Sequence, residues 1–384
     1  MVDEAEQQTF PSLDEKQIFS SGVLPSQALI EAVDQGVVKA LDSLESDQIQ
    51  PASIDLRLGP LAYEVPASFL PGPNYTVQQK VADFADHVID LEDGAVLERN
   101  RVYVVPLLEF LDLKKISSAR LSATANPKSS TGRLDVFTRI ITDFGAEFDR
   151  IPTGYSGPLW AEISPRSFAI QVSQGTRLAQ LRIRRGVPPT DDTTLRRLHA
   201  ETPLVRGGPG ADNISKGIGI SVDAAGDPAT GLIGYKARDV DHPIDVAQIG
   251  VYPSEEFWEP VYRSDRGLVL DLDGFYILAS KEKVAVPAGY AAELVPYDTA
   301  VGEVRIHYAG FFDPGFGIRA DAEWGTRAVL EVRCHEVPFL VEDGQIVGRL
   351  VYERLVQESD RPYGAAIGSN YADQGLALSK HFQK

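Results

Sequence analysis

The chain has 384 residues, enough for two domains that each bury a core of their own. Its 55 acidic and 37 basic side chains give a net charge of −18, which disfavours nonspecific binding to nucleic acid or to an anionic membrane surface. The single cysteine excludes a disulfide framework within the chain and a thiolate zinc site, and it is typical of a reducing compartment. Because no apolar run approaches the roughly 18 residues that span a bilayer, and the first twenty residues carry acids throughout, we expect a cytoplasmic protein.

The first half of the sequence predicts an arm, one helix and many short strands. Residues 1–22 are polar and lack apolar periodicity, which predicts a flexible N-terminal arm. Residues 24–33 predict a short helix that starts near Pro25 and Ser26. From residue 52 to residue 185, short apolar runs alternate with turn formers, a pattern typical of half-buried strands. We therefore predict a first β domain over residues 23–190.

The second half predicts a linker followed by another β domain. Residues 191–230 carry a charged stretch and the run Gly207–Gly210, and we interpret them as a linker. Short strand patterns then resume from Ile244 to Tyr352. They predict a second β domain over residues 231–384, which ends in a polar, glycine-containing tail.

The two predicted domains carry similar segments in the same order, which indicates a duplication. Asp55 pairs with Asp245, Glu162 pairs with Glu331, and residues 180–183 pair with residues 348–351. The spacings between these pairs differ, so insertions must separate them. Chance similarity between short β segments is the alternative explanation.

One cluster of polar residues has the chemistry of a phosphate site. Residues 128–133 read Lys-Ser-Ser-Thr-Gly-Arg. Arg is a bidentate donor, Lys is a point charge, and hydroxyls and turn amides are neutral donors, so together they can bind phosphate oxygens. A solvated turn that opens a short helix with Ser as its cap is the alternative.

Three carboxylates are candidates for chemistry. Asp313, followed by Pro-Gly, lies in a run typical of a hairpin tip, where an Asp can also serve only to start the turn. Glu331 lies between Leu330 and Val332, and a carboxylate desolvated there has a raised pKa and can exchange protons near neutral pH. Glu162 has similar neighbours. Either glutamate could instead point to solvent from an amphipathic strand.

Several other active-site types lack their sequence signatures. The six histidines show no metal-ligand spacing, and no His-x-Glu with Pro-Cys-x-x-Cys occurs, so zinc-dependent deamination has no support. The sequence also has no P-loop, no nucleophile elbow and no dinucleotide fingerprint.

Taken in order, these motifs resemble dCTP deaminase, a family of the dUTPase-like superfamily. The ordered set consists of residues 54–59, 128–133, 309–317, 330–332 and a late Tyr-x-x-Gln-Gly at 371–375. The resemblance covers most of residues 23–186 and 231–380. It implies a mainly β protein of two tandem dUTPase-like distorted β-barrels of the β-clip type, with a few short helices.

The resemblance also implies roles for individual residues. Lys128, Ser129, Ser130 and Arg133 would bind the triphosphate, and Ser130 and Arg133 would help to place the attacking water. Asp313 would hold the deoxyribose 3′-hydroxyl. Glu331 would be the general base, with Glu162 as its counterpart in the first copy. Tyr363, Tyr371 and Gln374 resemble the tail that closes over the nucleotide.

The motifs are divided between the copies, so we predict one composite site. The phosphate element comes from the first copy and the base from the second, because the second copy lacks Lys-Ser-Ser and the hairpin at 143–152 lacks Asp-Pro-Gly. Glu162 would then be a relic or a structural residue. The sequence departs from the family at Cys334-His335, where an Asn is usual, and at Gln374-Gly375, where one more residue is common.

The implied reaction is deamination of dCTP to dUTP and ammonia, with water activated by a Glu. Mg²⁺ would arrive bound to the triphosphate, and no zinc is expected. Alternatives are a dUTP pyrophosphatase, a bifunctional deaminase and pyrophosphatase, and a non-catalytic nucleotide-binding regulator. The expected partner is a deoxynucleotide, without nucleic acid or membrane. The protein would be either a homo-oligomer or a monomer with its composite site between the repeats.

Overall fold

The structure is a computed structural model that describes residues 19–188, 191–296, 304–306, 310–318, 324–334, 337–363 and 375–383. The described chain is mainly β, as predicted, with few and short helices. The α-helices are α1 (Ser26–Asp34), α2 (Val77–Phe84), α3 (Ser129–Gly132), α4 (Asp192–Glu201) and α5 (Ser254–Phe257). Short 3-10 turns cover Ser46–Gln48 and Ser117–Ala119.

The first half, up to residue 188, contains thirteen strands in the described chain. They are β1 (Gly22–Val23), β2 (Val38–Ala40), β3 (Ile54–Arg57), β4 (Leu61–Val65), β5 (His87–Asp90), β6 (Ala95–Leu97), β7 (Val102–Asp112), β8 (Leu121–Pro127), β9 (Val136–Thr142), β10 (Arg150–Ile151), β11 (Ser156–Pro165), β12 (Ile170–Val172) and β13 (Arg177–Arg185). One sheet has the order β1-β13-β8-β10, with β3 also on β13. The other has the order β5-β4-β7-β11-β9, with β2 also on β7.

The second half, from residue 191, repeats this plan. Its described strands are β14 (Val205–Arg206), β15 (Ile218–Ser221), β16 (Leu232–Ala237), β17 (Ile244–Asp245), β18 (Trp258–Tyr262), β19 (Leu268–Leu270), β20 (Phe275–Val284), β21 (Tyr290–Pro296), β22 (Val304–Ile306), β23 (Gly310–Phe312), β24 (Thr326–Cys334), β25 (Phe339–Val341) and β26 (Ile346–Arg354). The sheet β15-β26-β21-β23 matches the first sheet, and β18-β16-β20-β24-β22 matches the second. This correspondence supports the predicted duplication.

The predicted helix near residue 24 is present as α1, but α2 was missed. Thr76 accepts a hydrogen bond from the Gln79 amide at 3.2 Å, and the Gln79 side chain accepts one from the Thr76 amide at 2.9 Å. This capping box was a readable signal in the sequence.

The predicted linker, residues 191–230, is instead built into the second half. The Asp191 carboxylate caps α4 by accepting a hydrogen bond from the Thr194 amide at 2.9 Å. Leu195 is buried in the core of the second half. Strand β14 pairs with β20 and β15 pairs with β26. The glycines at 207–210 suggested a linker, but they lie between paired elements.

The two halves also share a core. Phe168 of the first half packs edge-on against Phe257 and Trp258 of the second, with ring centroids 5.6 and 5.4 Å away. Phe382, near the C-terminus, contacts the same three rings. Strand β17 pairs in parallel with β12 of the first half. Apolar packing therefore contributes to holding the two halves together.

A buried glutamate connects the sheets of each half in the same way. In the first half, Glu109 accepts hydrogen bonds from the Arg57 amide at 2.8 Å and from Gln48 at 2.9 Å. In the second half, Glu282 accepts them from the Ser221 amide at 2.8 Å, the Ser221 hydroxyl at 2.7 Å and the Gly210 amide at 3.0 Å.

Replacing Glu282 with Ala should destabilise the fold. The change leaves the donors of Ser221 and Gly210 buried without their acceptor, and we expect a loss of about 3 kcal/mol in the free energy of unfolding. Urea unfolding followed by circular dichroism measures the loss. Glu259→Ala, at an exposed position, is the control. Equal midpoints for the two variants would contradict the structural role of Glu282.

Candidate active site between the repeats

The predicted phosphate element forms the short helix α3 and its flanks, between β8 and β9. Lys128 is the N-cap residue, and Ser130 and Thr131 are buried. The Lys128 ammonium forms an ion pair with Asp55 of β3. The Ser130 carbonyl accepts a hydrogen bond from the Ser379 hydroxyl at 2.8 Å, so the C-terminal segment packs on this element. Neither Ser129 nor Ser130 is the helix cap, which was the alternative role for a serine here.

Glu331 lies within β24, 7% exposed and facing the first half. Burial raises the pKa of its carboxyl to about 7, against the opposing effect of the Arg133 guanidinium. Arg133 Nε lies 3.8 Å from Glu331 Oε1. Arg133 also donates a hydrogen bond to the Ala377 carbonyl at 3.1 Å. Residues that the sequence placed in different copies are therefore in contact across the interface.

Asp313 follows β23 and is held by an arginine of the first half. Arg182 Nη2 lies 3.6 Å from Asp313 Oδ1, and Arg182 Nη1 donates to the Ala292 carbonyl at 3.1 Å. The Arg182 guanidinium also stacks on the Phe311 ring, 3.9 Å from its centroid. Burial raises the pKa of Asp313 to about 6, and Arg182 acts to lower it.

Charges at the phosphate element also act on Asp313. Asp55 raises the pKa of Asp313, and Lys128 lowers it. Beside α3 lies a cavity of about 760 Å³, lined in part by Lys128 and Ser130. Two further cations line it, Arg177 and Lys380, and the sequence analysis missed both. Burial and the nearby cations lower the pKa of Lys380.

Glu162 lies in a different environment from Glu331, although it has similar neighbours in sequence. Arg139 on the adjacent strand β9 forms an ion pair with it, donating to Oε1 from Nε at 3.1 Å. The same guanidinium stacks on Phe148, 3.6 Å from the ring centroid, and donates to the Ser68 hydroxyl at 2.7 Å. Glu162 therefore already has a cationic partner from its own half.

Strand registers define which residues of the two halves correspond. Leu181 faces Ile54 and Ala125, whereas Leu350 faces Ile218 and Leu294. Both leucines are buried, and aligning them also aligns Pro127 with Pro296 in the neighbouring strands. Leu181 thus matches Leu350, and the predicted pairing of 180–183 with 348–351 is wrong by one residue.

The predicted pairing of Asp55 with Asp245 is also wrong. Strand β15 is the counterpart of β3, so Asp55 matches Gly219. Asp245 lies in β17, which pairs with Gln171 of β12 in a separate sheet. The apparent match came from the dipeptide Ile-Asp, which occurs both in β3 and in β17.

The registers do support the pairing of Glu162 with Glu331. Glu162 faces Val104, which faces Tyr63. Glu331 faces Ile277, which faces Tyr235. The two glutamates thus hold the same position in matching sheets.

The same registers show where the copies differ chemically. Ile151 faces Ala123 and Phe312 faces Ala292, so Pro152 matches Asp313. Pro127 faces Ala179 and Pro296 faces Gly348. The residues after these prolines are Lys-Ser-Ser-Thr in the first copy and Tyr-Asp-Thr-Ala in the second. Each half therefore retains a different part of the motif set.

The C-terminal residues are only partly described. Tyr363 donates its amide to the Pro314 carbonyl at 2.7 Å, and its ring lies 5.6 Å from that of Phe316. It is thus next to the Asp313 turn. Tyr371, Gln374 and His335 lie outside the described residues.

The sequence analysis missed three charged residues at this interface, Arg182, Asp135 and Arg333. Each lies within or beside a run of apolar residues, at a position that becomes fully or almost fully buried. A charged residue in a buried strand needs a partner of opposite charge. A charge within an apolar run was therefore the signal in the sequence. The partners lie in the other half, so the sequence did not identify them.

Both halves of the chain are similar to domains of a known protein family. The family model for the N-terminal domain of 2′-deoxycytidine 5′-triphosphate deaminase matches residues 20–187, and the model for its C-terminal domain matches residues 191–382. The chain belongs to the dCTP deaminase family.

A crystal structure of 2′-deoxycytidine 5′-triphosphate deaminase from Agrobacterium tumefaciens superimposes with a TM-score of 0.82 and 49% identity, covering 88% of this chain and 100% of that one. Two curated relatives are named "dCTP deaminase, dUMP-forming". The one from Halobacterium salinarum is 32% identical over 119 residues, and the one from Beutenbergia cavernae is 31% identical over 113. These matches cover 30% and 29% of this chain and 57% and 55% of the relatives' own lengths.

The described residues also lack two other features. Within the described ranges, no helix is long and apolar enough to cross a membrane. Over the same ranges, no group of three or more His, Cys, Asp or Glu side chains is arranged to hold a metal ion.

The raised pKa of Glu331 predicts a specific dependence of stability on pH. Unfolding returns its carboxyl from a pKa of about 7 to the ordinary 4.5, so the folded state binds the proton more tightly. Above pH 7, ionisation of this carboxyl therefore lowers the free energy of unfolding by about 3 kcal/mol. Below pH 4.5 the carboxyl is protonated in both states, and this loss is absent.

Glu331→Gln removes that cost. Relative to the wild type, its free energy of unfolding should rise between pH 5 and pH 8, as measured by urea titrations at both values. Glu259→Gln, at an exposed position, should show no such trend. A pH-independent difference between Glu331→Gln and the wild type would contradict the raised pKa.

Proposed function

We propose that the chain is a hydrolytic deaminase that converts dCTP and water to dUTP and ammonia. The contact of Glu331 with Arg133 supports this proposal most directly, because it joins a proton-exchanging carboxylate to the phosphate element. The family assignment and the structural match over nearly the whole chain support the substrate class.

The proposed chemistry needs one group that both accepts and donates a proton. Glu331 takes a proton from water as the oxygen bonds to C4 of the cytosine, and it delivers that proton to N3. The C4–N bond then breaks, and the amino group leaves as ammonia after it gains the remaining hydroxyl proton. A carboxyl with a pKa of about 7 can perform both transfers near neutral pH.

The other residues would bind and orient the nucleotide. Lys128, Ser129, Ser130 and Arg133 would contact the triphosphate, with Ser130 and Arg133 also close to the water. Mg²⁺ enters as part of the nucleotide complex. Asp313, held by Arg182, would accept a hydrogen bond from the 3′-hydroxyl. Tyr363, which already contacts the Asp313 turn, would start the closing tail that continues to Tyr371 and Gln374.

A second candidate is a bifunctional enzyme that also removes pyrophosphate and yields dUMP. The printed names of the curated relatives favour it. Attack on the α-phosphorus needs its own activated water, whereas Glu331 serves the ring. A dUTP pyrophosphatase without deaminase activity, or a regulator that only binds nucleotide, would leave the near-neutral pKa of Glu331 without use.

We further propose that each half is a dUTPase-like distorted β-barrel and that one chain forms one composite site. Pro152 in place of Asp313 supports this, as does the pairing of Glu162 with Arg139 of its own half, where Glu331 contacts Arg133 of the other half. The protein acts in the cytoplasm, where dCTP is made available.

Activity assays on matched glutamate variants test the function. Glu331→Gln should lower kcat for dCTP by about 10³-fold, because it removes general acid–base catalysis. Glu162→Gln should retain kcat within about threefold in the folded protein, because Glu162 pairs with Arg139 of its own half, although loss of this buried ion pair lowers stability. Ammonia release and chromatography of dUTP, dUMP and pyrophosphate give rate and product together.

Two results would contradict the proposal. Loss of turnover in Glu162→Gln but not in Glu331→Gln would place the base in the first half. Nucleotide binding without turnover by the wild type would favour the regulator.

The role of Asp313 predicts a substrate-dependent effect. Asp313→Asn should raise KM for dCTP by about tenfold, through loss of a charge-assisted hydrogen bond. For 2′,3′-dideoxycytidine triphosphate, which lacks the 3′-hydroxyl, KM should be the same in variant and wild type. A similar rise for both nucleotides would show that Asp313 does not bind that hydroxyl.

A further inference from the structure

A buried ion pair connects the two elements that carry Arg133 and Glu331. Asp135 is fully buried and Arg333 is 5% exposed. Arg333 Nη2 donates to Asp135 Oδ2, and it also donates to the Ser167 hydroxyl at 3.1 Å. That hydroxyl in turn donates to Asp135 Oδ2 at 2.6 Å. Asp135 and Ser167 belong to the first half, whereas Arg333 belongs to the second.

The pair lies two residues from each group of the proposed chemistry. Asp135 follows Arg133 at the end of α3, and its amide donates to the Gly132 carbonyl at 2.9 Å. Arg333 follows Glu331 on the same strand, so both side chains leave the same face of β24. Arg333 Nη1 also donates to the Asp273 carbonyl, which lies just before β20. On each side of the ion pair, only one residue lies between it and the Arg133–Glu331 contact.

Simple stabilisation is a weak reason to bury such a pair. Desolvation of two charges offsets most of their attraction, and apolar residues of similar size often replace a buried pair without loss. A buried pair does hold one geometry, since leaving either charge without its partner is costly. Nearby, Arg133 Nε lies 3.8 Å from Glu331 Oε1, and the electrostatic attraction between them weakens as this distance grows.

We propose that Asp135 and Arg333 are positioning residues for the deamination site: their ion pair sets the separation of Arg133 from Glu331. It thereby controls the pH at which Glu331 becomes a base. The proposal rests on the proposed function for its catalytic meaning, whereas the geometric coupling of the four side chains is independent of it. Of the described charged groups, Arg133 is the one that acts on Glu331 directly.

The test uses Asp135→Asn in the full-length protein. Asp135 has a φ of 57°, a left-handed conformation that Asn also adopts, so the variant keeps the backbone and removes only the charge. With Arg133 less firmly held, the acid limb of kcat against pH should move up by about one pH unit. Activity should recover at high pH. A purely structural role would lower the rate equally at every pH.

Glu353→Gln is the matched control. Glu353 forms an ion pair with Arg184 of the first half, with side chains 11% and 12% exposed, but neither residue belongs to α3 or β24. This variant also breaks a charged contact between the repeats, and its acid limb should coincide with that of the wild type. If Asp135→Asn fails to fold, Arg333→Lys replaces it, because Lys keeps the charge but loses the planar fork that bonds both Asp135 and the Asp273 carbonyl.

A second readout separates this proposal from the proposed function. Carbon-13 NMR of glutamate-labelled protein, with Glu331 assigned from Glu331→Gln, follows the Glu331 titration without any turnover. Its pKa should rise in the pair variants even if the protein does not deaminate dCTP. Folded variants with the wild-type titration of Glu331 would overturn the positioning role. Absence of deamination in the wild type would overturn only the proposed function.

Discussion

The two halves meet through charged side chains that neither half could bury alone. Arg182 of the first half is completely buried against the Asp313 turn, and Arg333 of the second is buried against Asp135. An arginine inside a protein requires an acceptor, so these contacts fix how the halves face each other. The proposed site lies between them, with Arg133 on one side and Glu331 on the other.

Duplication explains why this site is asymmetric. Matching positions hold Glu162 and Glu331, but Glu162 forms an ion pair with Arg139 of its own half, whereas Glu331 lies 3.8 Å from Arg133 of the other half. Each repeat was free to lose the motifs that the other retained, as Pro152 opposite Asp313 illustrates. Each half thus holds motif residues that are absent from the matching positions of the other.

The sequence was sufficient to propose residues for the candidate site and to predict much of the strand pattern. Residues 128–133, Asp313 and Glu331 were readable because each has a local signature. Arg333 and Asp135 were not, because their significance depends on a partner about 200 positions away. The match of Asp55 with Asp245 failed since strand register, and not residue identity, defines equivalence in a sheet. Motifs of neighbouring residues could thus be recognised in the sequence, whereas contacts between the repeats required the structure.

The central claim is that one chain builds one complete site from both of its repeats. Complementation tests it most directly: chains carrying Arg133→Met are refolded together with chains carrying Glu331→Gln, and dCTP deamination is measured. Each variant retains the element that the other lacks. The structure predicts that the mixture stays as inactive as the separate variants, because the two elements meet within one chain. Recovery of activity in the mixture would contradict this, since the site would then form between chains.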